Sequence, residues 1–346
     1  MLANDMQLEH AITLMTAFAE RTGLTSDAPP TRYLWTDAFA VCNFLGLARA
    51  TGNAVYRDLA CRLVDRVHET LGRHREDDSR TGWLSGLSGE AARAHPTRGG
   101  LRIGKPLPER GPDEPFNQRL EWDRDGQYFH YLTKWMHALD LMARVTGDAR
   151  YAAWSRELAA TASDAFVYAG PGGQPRMYWK MSIDLTRPLV PSMGQHDPLD
   201  GYITLQQLRA MAQAFAPREE SSPLEDERRI FARMIHGRDW STTDPLGLGG
   251  LLIDAARLAQ LIQCGAAEDH GLLVDLLRSA EAGLRRWVGS RALRQSARRR
   301  LAFRELGLAI GLYGLVIDEV TFPAESGAQP HLTALWEHMD VAERIV

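Results

Sequence analysis

The chain is poor in cysteine: Cys42, Cys61 and Cys264 are the only three among 346 residues. They are too few and too scattered for a disulfide framework, which points to a reducing, cytoplasmic setting. Cys42 and Cys61 fall on helix positions that read as core. An excess of one charge is also missing. The net charge is −4, so no basic field argues for a nucleic-acid partner. The apolar runs fall short of the roughly 20 residues that a membrane span needs. The start, Met1-Leu2-Ala3-Asn4-Asp5, has no positive n-region and no apolar h-region, so it reads as lacking a signal peptide. There is no Gly-x-Ser-x-Gly elbow and no phosphate loop, which argues against those two chemistries. Strand-period segments and linkers are missing as well, so residues 1–346 read as one domain.

What the chain does have is a phrase that occurs twice. Ala48-Arg49-Ala50-Thr51-Gly52-Asn53-Ala54-Val55-Tyr56 returns as Ala143-Arg144-Val145-Thr146-Gly147-Asp148-Ala149-Arg150-Tyr151. Glycine ends the helix before it, because it enters the left-handed region without a Cβ clash. Asn53 or Asp148 then caps the next helix. Before each phrase lies a helix that is apolar almost all round, at 33–51 and 127–146. After each lies one that is apolar on a single face, at 53–72 and 148–167. Asp197-Pro198-Leu199 and Asp244-Pro245-Leu246 pair an N-cap with a first-turn proline, which predicts apolar helices starting near 198 and 245. Amphipathic partners follow at 223–236 and 268–289. A further apolar helix at 302–317 carries Leu306, Leu308, Ile310, Leu312, Tyr313 and Leu315, with a partner at 331–343 and a leftover N-terminal helix at 6–21. Buried inner helices alternating with half-exposed outer ones describe an all-α fold, an (α/α)6 toroid of helical hairpins.

Three connections, 73–126, 169–197 and 290–301, are long, and in such a toroid they emerge where the inner helices begin. Long loops are commonly functional. The acids there are Asp37, Glu121, Asp123, Asp125, Asp197, Asp200 and Asp244. Asp37 sits near the start of an apolar helix, where a carboxylate must be paired or face a wet cavity. It reads either as an ion pair, with Arg32 the nearest cation in sequence, or as a functional acid. Asp125 reads as an N-cap or as a general acid/base. The run from Glu121 to Gly126 has the spacing of half a calcium loop, but its twelfth position is Leu132 where a bidentate Glu is required. No metal and no cofactor is therefore expected.

Gln195-His196-Asp197-Pro198-Leu199-Asp200 is a second polar cluster. His196 reads as an acid/base or as a bond to a sugar hydroxyl, and Asp200 as a ligand to hydroxyls, because helix initiation requires neither. His130, Lys134 and His137 share a helix face. Each reads as a hydrogen-bonded core group or as a site group. Tyr33, Trp35, Trp83, Trp122, Tyr128, Tyr178, Trp179 and Trp240 collect at the same end. Flat rings stack on sugars or simply pack the core. Arg98, Arg102, Lys105, Lys180, Arg187 and Arg238 join them, as solvated loop charge or as partners for an anionic group. Offsetting the two phrases by 95 residues pairs Trp35 with His130 and Phe39 with Lys134. At about 1.5 Å per residue, Asp37 stands roughly 20 Å from the turn at Thr51.

The twice-occurring Thr-Gly-Asn/Asp turn with its following Tyr, together with alternating helices, resembles the six-hairpin glycosidase-like superfamily. Within it, the unsaturated glucuronyl hydrolases and the sugar 2-epimerases are similar. The first resemblance implies aspartate acid/base groups, matched at Asp37 and Asp125. The second implies paired histidines, matched at His130 and His196. The leading expectation is a glycoside hydrolase for a small saccharide, uronate-containing ones included. Its catalytic set is Asp37, Asp125 and His196. Trp35, Trp83, Arg98, Arg102, Trp122, Asp123, Tyr128, His130, Lys134, Tyr178, Lys180, Gln195, Asp200 and Trp240 are its substrate-binding set. The alternatives are an epimerase or isomerase, a polysaccharide lyase and a non-catalytic sugar-binding toroid. The expected partner is the saccharide alone, and the oligomeric state stays open.

Overall fold

A computed structural model describes residues 2–215, 224–317, 322 and 327–346. The helices are α1 (Leu2–Arg21), α2 (Leu34–Thr51), α3 (Ala54–Leu71), α4 (Gly89–Ala94), α5 (Gln118–Asp123), α6 (Phe129–Thr146) and α7 (Ala149–Phe166). There follow α8 (Asp197–Phe215), α9 (Glu225–Ile235), α10 (Pro245–Gln263), α11 (His270–Gly289), α12 (Ala302–Gly314), α13 (Gln329–Trp336) and α14 (Met339–Ile345). The chain forms two compact units, one of residues 1–193 with 211–227, the other of 194–210 with 228–346.

In the first unit α2 packs on α1, α3 and α6, and α6 on α7. The hairpin turns are built as their residues require. Gly52 and Gly147 take φ of 68° and 71°, and each donates its N–H back to the helix, to the carbonyls of Ala48 and Ala143. Asn53 and Asp148 accept the N–H of Val55 and Arg150. Leu34, Val41 and Phe44 of α2 are fully enclosed, as are Leu132, Trp135 and Leu139 of α6. Each such side chain stabilises the fold by about 2 kcal/mol relative to exposure. Cys42 and Cys61 are half-buried, at the edge of this core and not inside it.

Strands are present where no period-two pattern announced them. β1 (Gln127–Tyr128), β4 (Lys180–Met181) and β5 (Pro188–Val190) form one small sheet in that order, and β2 (Val167–Ala169) pairs with β3 (Pro175–Met177). Two or three residues are too few to show alternation. Their register, Gln127 opposite Met181 and Tyr128 opposite Lys180, fastens the long loops to the start of α6. Gln127 does the same with its side chain. It is buried, donates to the carbonyls of Gly99 and Ile183, and accepts from the N–H of Leu101.

In the second unit α10 packs on α11 and α12, α12 on α14, and α11 on α13. Asp244 caps α10 through the N–H of Gly247, with Pro245 in its first turn. α8 begins at Asp197, one residue before its predicted start. The carbonyl of His196 opens its ladder by accepting from Asp200 N–H. Residue 223 of the predicted helix 223–236 lies outside the described residues. The predicted helix 331–343 is two pieces, α13 and α14. Among the described residues, α10 is a helix long and apolar enough to cross a membrane, yet most of it is buried in this core. α12 buries Leu308 and Leu312, with Leu315 just after it, but exposes Leu306, Ile310 and Tyr313.

Glycines let α10 and α12 touch backbone to backbone. A Cβ on Gly249 would stand 2.0 Å from the Gly307 carbonyl oxygen, and one on Gly311 would stand 2.7 Å from Gly249 Cα. Gly250, one residue on, faces open space. Gly249→Ala is therefore expected to destabilise by about 1–3 kcal/mol through overpacking. Gly250→Ala is expected to gain up to about 1 kcal/mol from helix propensity. Denaturant midpoints of the two variants check this, and equal midpoints would contradict the close approach.

Candidate active site

The first turns of α2 and α6 carry a cluster of rings in the first unit. Trp35 meets His130, its equivalent under the 95-residue offset, edge-on with centroids 5.9 Å apart. Tyr128 stacks beside His130 at 5.2 Å and 27°, and Trp179 beside it at 6.1 Å and 21°. Trp122, 46% exposed, stands edge-on to Trp179. The hydroxyls of Tyr33 and Tyr131 lie 2.6 Å apart and bridge the two helices. Burial holds both phenols above the ordinary tyrosine range, so both are protonated donors. The Lys105 ammonium sits 5.5 Å from the Tyr128 ring and 5.7 Å from the Trp122 ring, and donates to the Trp122 carbonyl. Burial and the neighbouring Lys180 lower its pKa. This basin offers flat ring faces, an imidazole, two phenols and one ammonium. Such a set suits a polar ring with apolar faces.

The expected acids do not face it. Asp125 is fully buried, and its carboxylate accepts from Arg102 Nη1 at 2.9 Å, Arg75 Nη1 at 3.3 Å and the N–H groups of Gly104 at 2.9 Å and Gly126 at 3.1 Å. A buried charge needs such partners, and these occupy both oxygens. Asp125 is neither an N-cap nor placed as a general acid. Arg102 is spent on the same cluster. Asp37 is 1% exposed, lies 3.5 Å from Arg32 and accepts from Tyr33 N–H at 3.1 Å. Its ion-pair reading is the one that the geometry matches. Lys180, placed by the sequence among substrate contacts, is fully buried. It donates to the Glu121 carboxylate at 2.9 Å and to the carbonyls of Glu121 and Arg124, behind Tyr128. Glu121 takes Arg110 as well, at 3.1 Å. Trp83 is buried under Arg73, whose guanidinium lies 4.4 Å from its ring centre. Asp123 is exposed, Lys134 and His137 are half-buried on α6, and Arg98 and Tyr178 border a separate cavity.

The other predicted groups belong to the second unit. Asp200 is buried and pairs with Arg257 at 3.0 Å. Arg257 also donates to Thr204 and Gln207 and lies 3.3 Å from Asp254. This ties α8 to α10 through the Asp200 carboxylate. Gln195 donates to the Ser241 carbonyl at 2.9 Å, and Trp240 is buried. His196 packs 6.3 Å from the Trp240 ring, and burial lowers its pKa, so it stays neutral near pH 7.

No protein-family model matches this chain, and no curated protein does. One solved structure is similar. The cellobiose 2-epimerase of Spirochaeta thermophila DSM 6192 shares 10% identity over 89% of this chain and 74% of that one, with a TM-score of 0.49.

Two groups of the basin escaped the sequence reading, Tyr131 and the ring of Trp179 as a neighbour of His130. The signal for the first was the run Tyr128-Phe129-His130-Tyr131, four rings in a row at a helix start. Trp179 gave no such signal, because a short strand pairing brings it in from 49 residues beyond His130.

Burial pushes the Asp37 carboxyl up to about 7, with Arg32 acting against it. The folded protein then holds this proton more tightly than the unfolded chain does. The resulting stability is full below about pH 4 and is lost as pH rises through 7. Asp37→Asn removes that dependence. Urea unfolding at pH 5 and pH 8 should show the wild type losing stability relative to the variant at the higher pH. Parallel behaviour of the two proteins would contradict it.

Proposed function

We propose that this protein is a sugar epimerase or isomerase in which His130 moves a proton at the carbon beside a sugar carbonyl. One observation carries the reading. The half-buried imidazole that lies among stacking rings is that of His130, while Asp125 is held by two arginines and Asp37 is buried beside Arg32. Glycoside hydrolysis by two carboxylates requires both to flank the scissile bond. Enolisation requires a base near neutrality and a donor to the carbonyl oxygen, and imidazole with phenol supplies that pair.

In the open-chain aldose, His130 takes the proton from C2. The electron pair moves into the C1–C2 bond, and the carbonyl oxygen becomes an enediolate oxygen. The Tyr33–Tyr131 pair has one hydroxyl hydrogen directed away from its internal bond, and this donates to that oxygen. His130 returns its proton to C1 to yield the ketose, or to the opposite face of C2, presented by rotation of the enediolate about C2–C3, to invert it. Trp35, Trp122 and Trp179 stack the sugar, and Lys105 bonds a hydroxyl.

The test is incubation of the protein in D2O with D-glucose, D-mannose or a reducing disaccharide, followed by proton NMR. The wild type is expected to wash deuterium into C2, and His130→Gln to do so about 100-fold or more slowly. Cleavage of a glycosidic bond without exchange would restore the hydrolase reading. An ultraviolet-absorbing product would indicate a lyase, and saturable binding without turnover a sugar-binding protein.

A further inference from the structure

On the other side of the segment that supplies Trp179 lies an open cavity of about 550 Å³ in the first unit. Tyr178, the residue before Trp179, lines it together with Arg98 and Asp164. Five other arginines of the 73–126 loop, Arg75, Arg80, Arg102, Arg110 and Arg124, have carboxylate partners. Arg98 differs: among the described residues its guanidinium has no ion-pair or hydrogen-bond partner, and neither has the Asp164 carboxylate. Both are exposed, and they line one cavity without pairing with each other.

The walls are built and held. Tyr178 stacks on Tyr168 at 4.3 Å and 16°, which fixes its ring, and its N–H donates to the Phe166 carbonyl. Leu185 on the rim takes φ of 60°, a conformation that a bulky side chain holds only where its surroundings over-determine it. Here they do. Leu185 N–H donates to the Ser182 carbonyl, and the neighbouring Asp184 carboxylate accepts from the Ser182 and Thr186 hydroxyls and from Arg80. The floor is apolar, with buried Met181.

We infer that this cavity binds a sugar acid, a hydroxylated ring bearing one carboxylate, separately from the basin at His130. A guanidinium takes a carboxylate bidentately. A fixed phenol ring and an apolar floor suit the C–H faces of a pyranose. The Asp164 carboxylate accepts from ring hydroxyls. A neutral sugar leaves Arg98 unpaired, and a bare carboxylate leaves the ring, the floor and Asp164 unused. The volume lies within the usual range for small-molecule sites, roughly 300–1,000 Å³. The inference does not rest on the epimerase reading.

The experiment is isothermal titration of the full-length protein with D-glucuronate, D-glucose and acetate. Arg98→Ala, Tyr178→Ala and the basin variant Trp35→Ala are titrated beside the wild type. Arg98 is exposed, so its replacement leaves the core intact, and circular dichroism verifies this. The expected result is saturable glucuronate binding at least tenfold tighter than that of glucose or acetate. Arg98→Ala and Tyr178→Ala are each expected to weaken it about tenfold or more, roughly 1.4 kcal/mol, with Trp35→Ala unchanged. Absence of glucuronate binding up to about 10 mM, which corresponds to less than 3 kcal/mol, would overturn the inference. So would binding that survives Arg98→Ala, or binding that Trp35→Ala abolishes.

Discussion

The first unit depends on the burial of one carboxylate. Asp125 takes arginines from two separate stretches of the 73–126 loop, Arg75 and Arg102, and two backbone N–H groups, Gly104 and Gly126. A charge with no exposure and unsatisfied valences would cost several kcal/mol, so the loop has one way to close. Closing it fixes Gly126 and with it β1. The Ile103 N–H meets the Gly126 carbonyl on one side, and the Ile103 carbonyl meets the Leu34 N–H on the other. The starts of α2 and α6 are thereby joined through a single extended strip of loop. That is why Trp35 and His130 meet.

The same economy explains the division between frame and chemistry. Acids with a deep position, Asp37, Glu121, Asp125 and Asp200, are all met by cations: Arg32, Lys180 with Arg110, Arg75 with Arg102, and Arg257. Rings, hydroxyls and the Lys105 ammonium line the basin instead. The His130 imidazole lies against the Tyr128 and Trp179 rings, and a phenol pair keeps its proton because burial disfavours the phenolate.

How much of this was legible in the residues follows from range. The hairpin turns at Gly52 and Gly147 were legible because capping is local, and the helices they separate match their predicted bounds to within two residues. Trp35 and His130 were legible as equivalent positions of the two hairpins, and α2 packs on α6 so that the two rings meet. The roles of Asp125 and Lys180 were not. Their partners lie 50 and 59 residues away along loops with no periodicity, and nothing in the order of residues separates a buried pair from a free catalytic acid. The exposed side of α12 was missed for a related reason. Its apolar run continues round the helix, so composition alone does not say which side packs on α10.

The central claim is that the sugar meets His130 and not the two aspartates. The direct measurement is a titration of the protein, with its histidines carbon-13 labelled, with D-glucose or D-mannose, observing the imidazole C–H signals. The His130 signal is assigned by its loss in His130→Gln. It is predicted to shift saturably, with a ring-current displacement from the closing of Trp35, Tyr128 and Trp179 around the sugar. Saturable sugar binding that leaves the His130 signal in place would contradict the account.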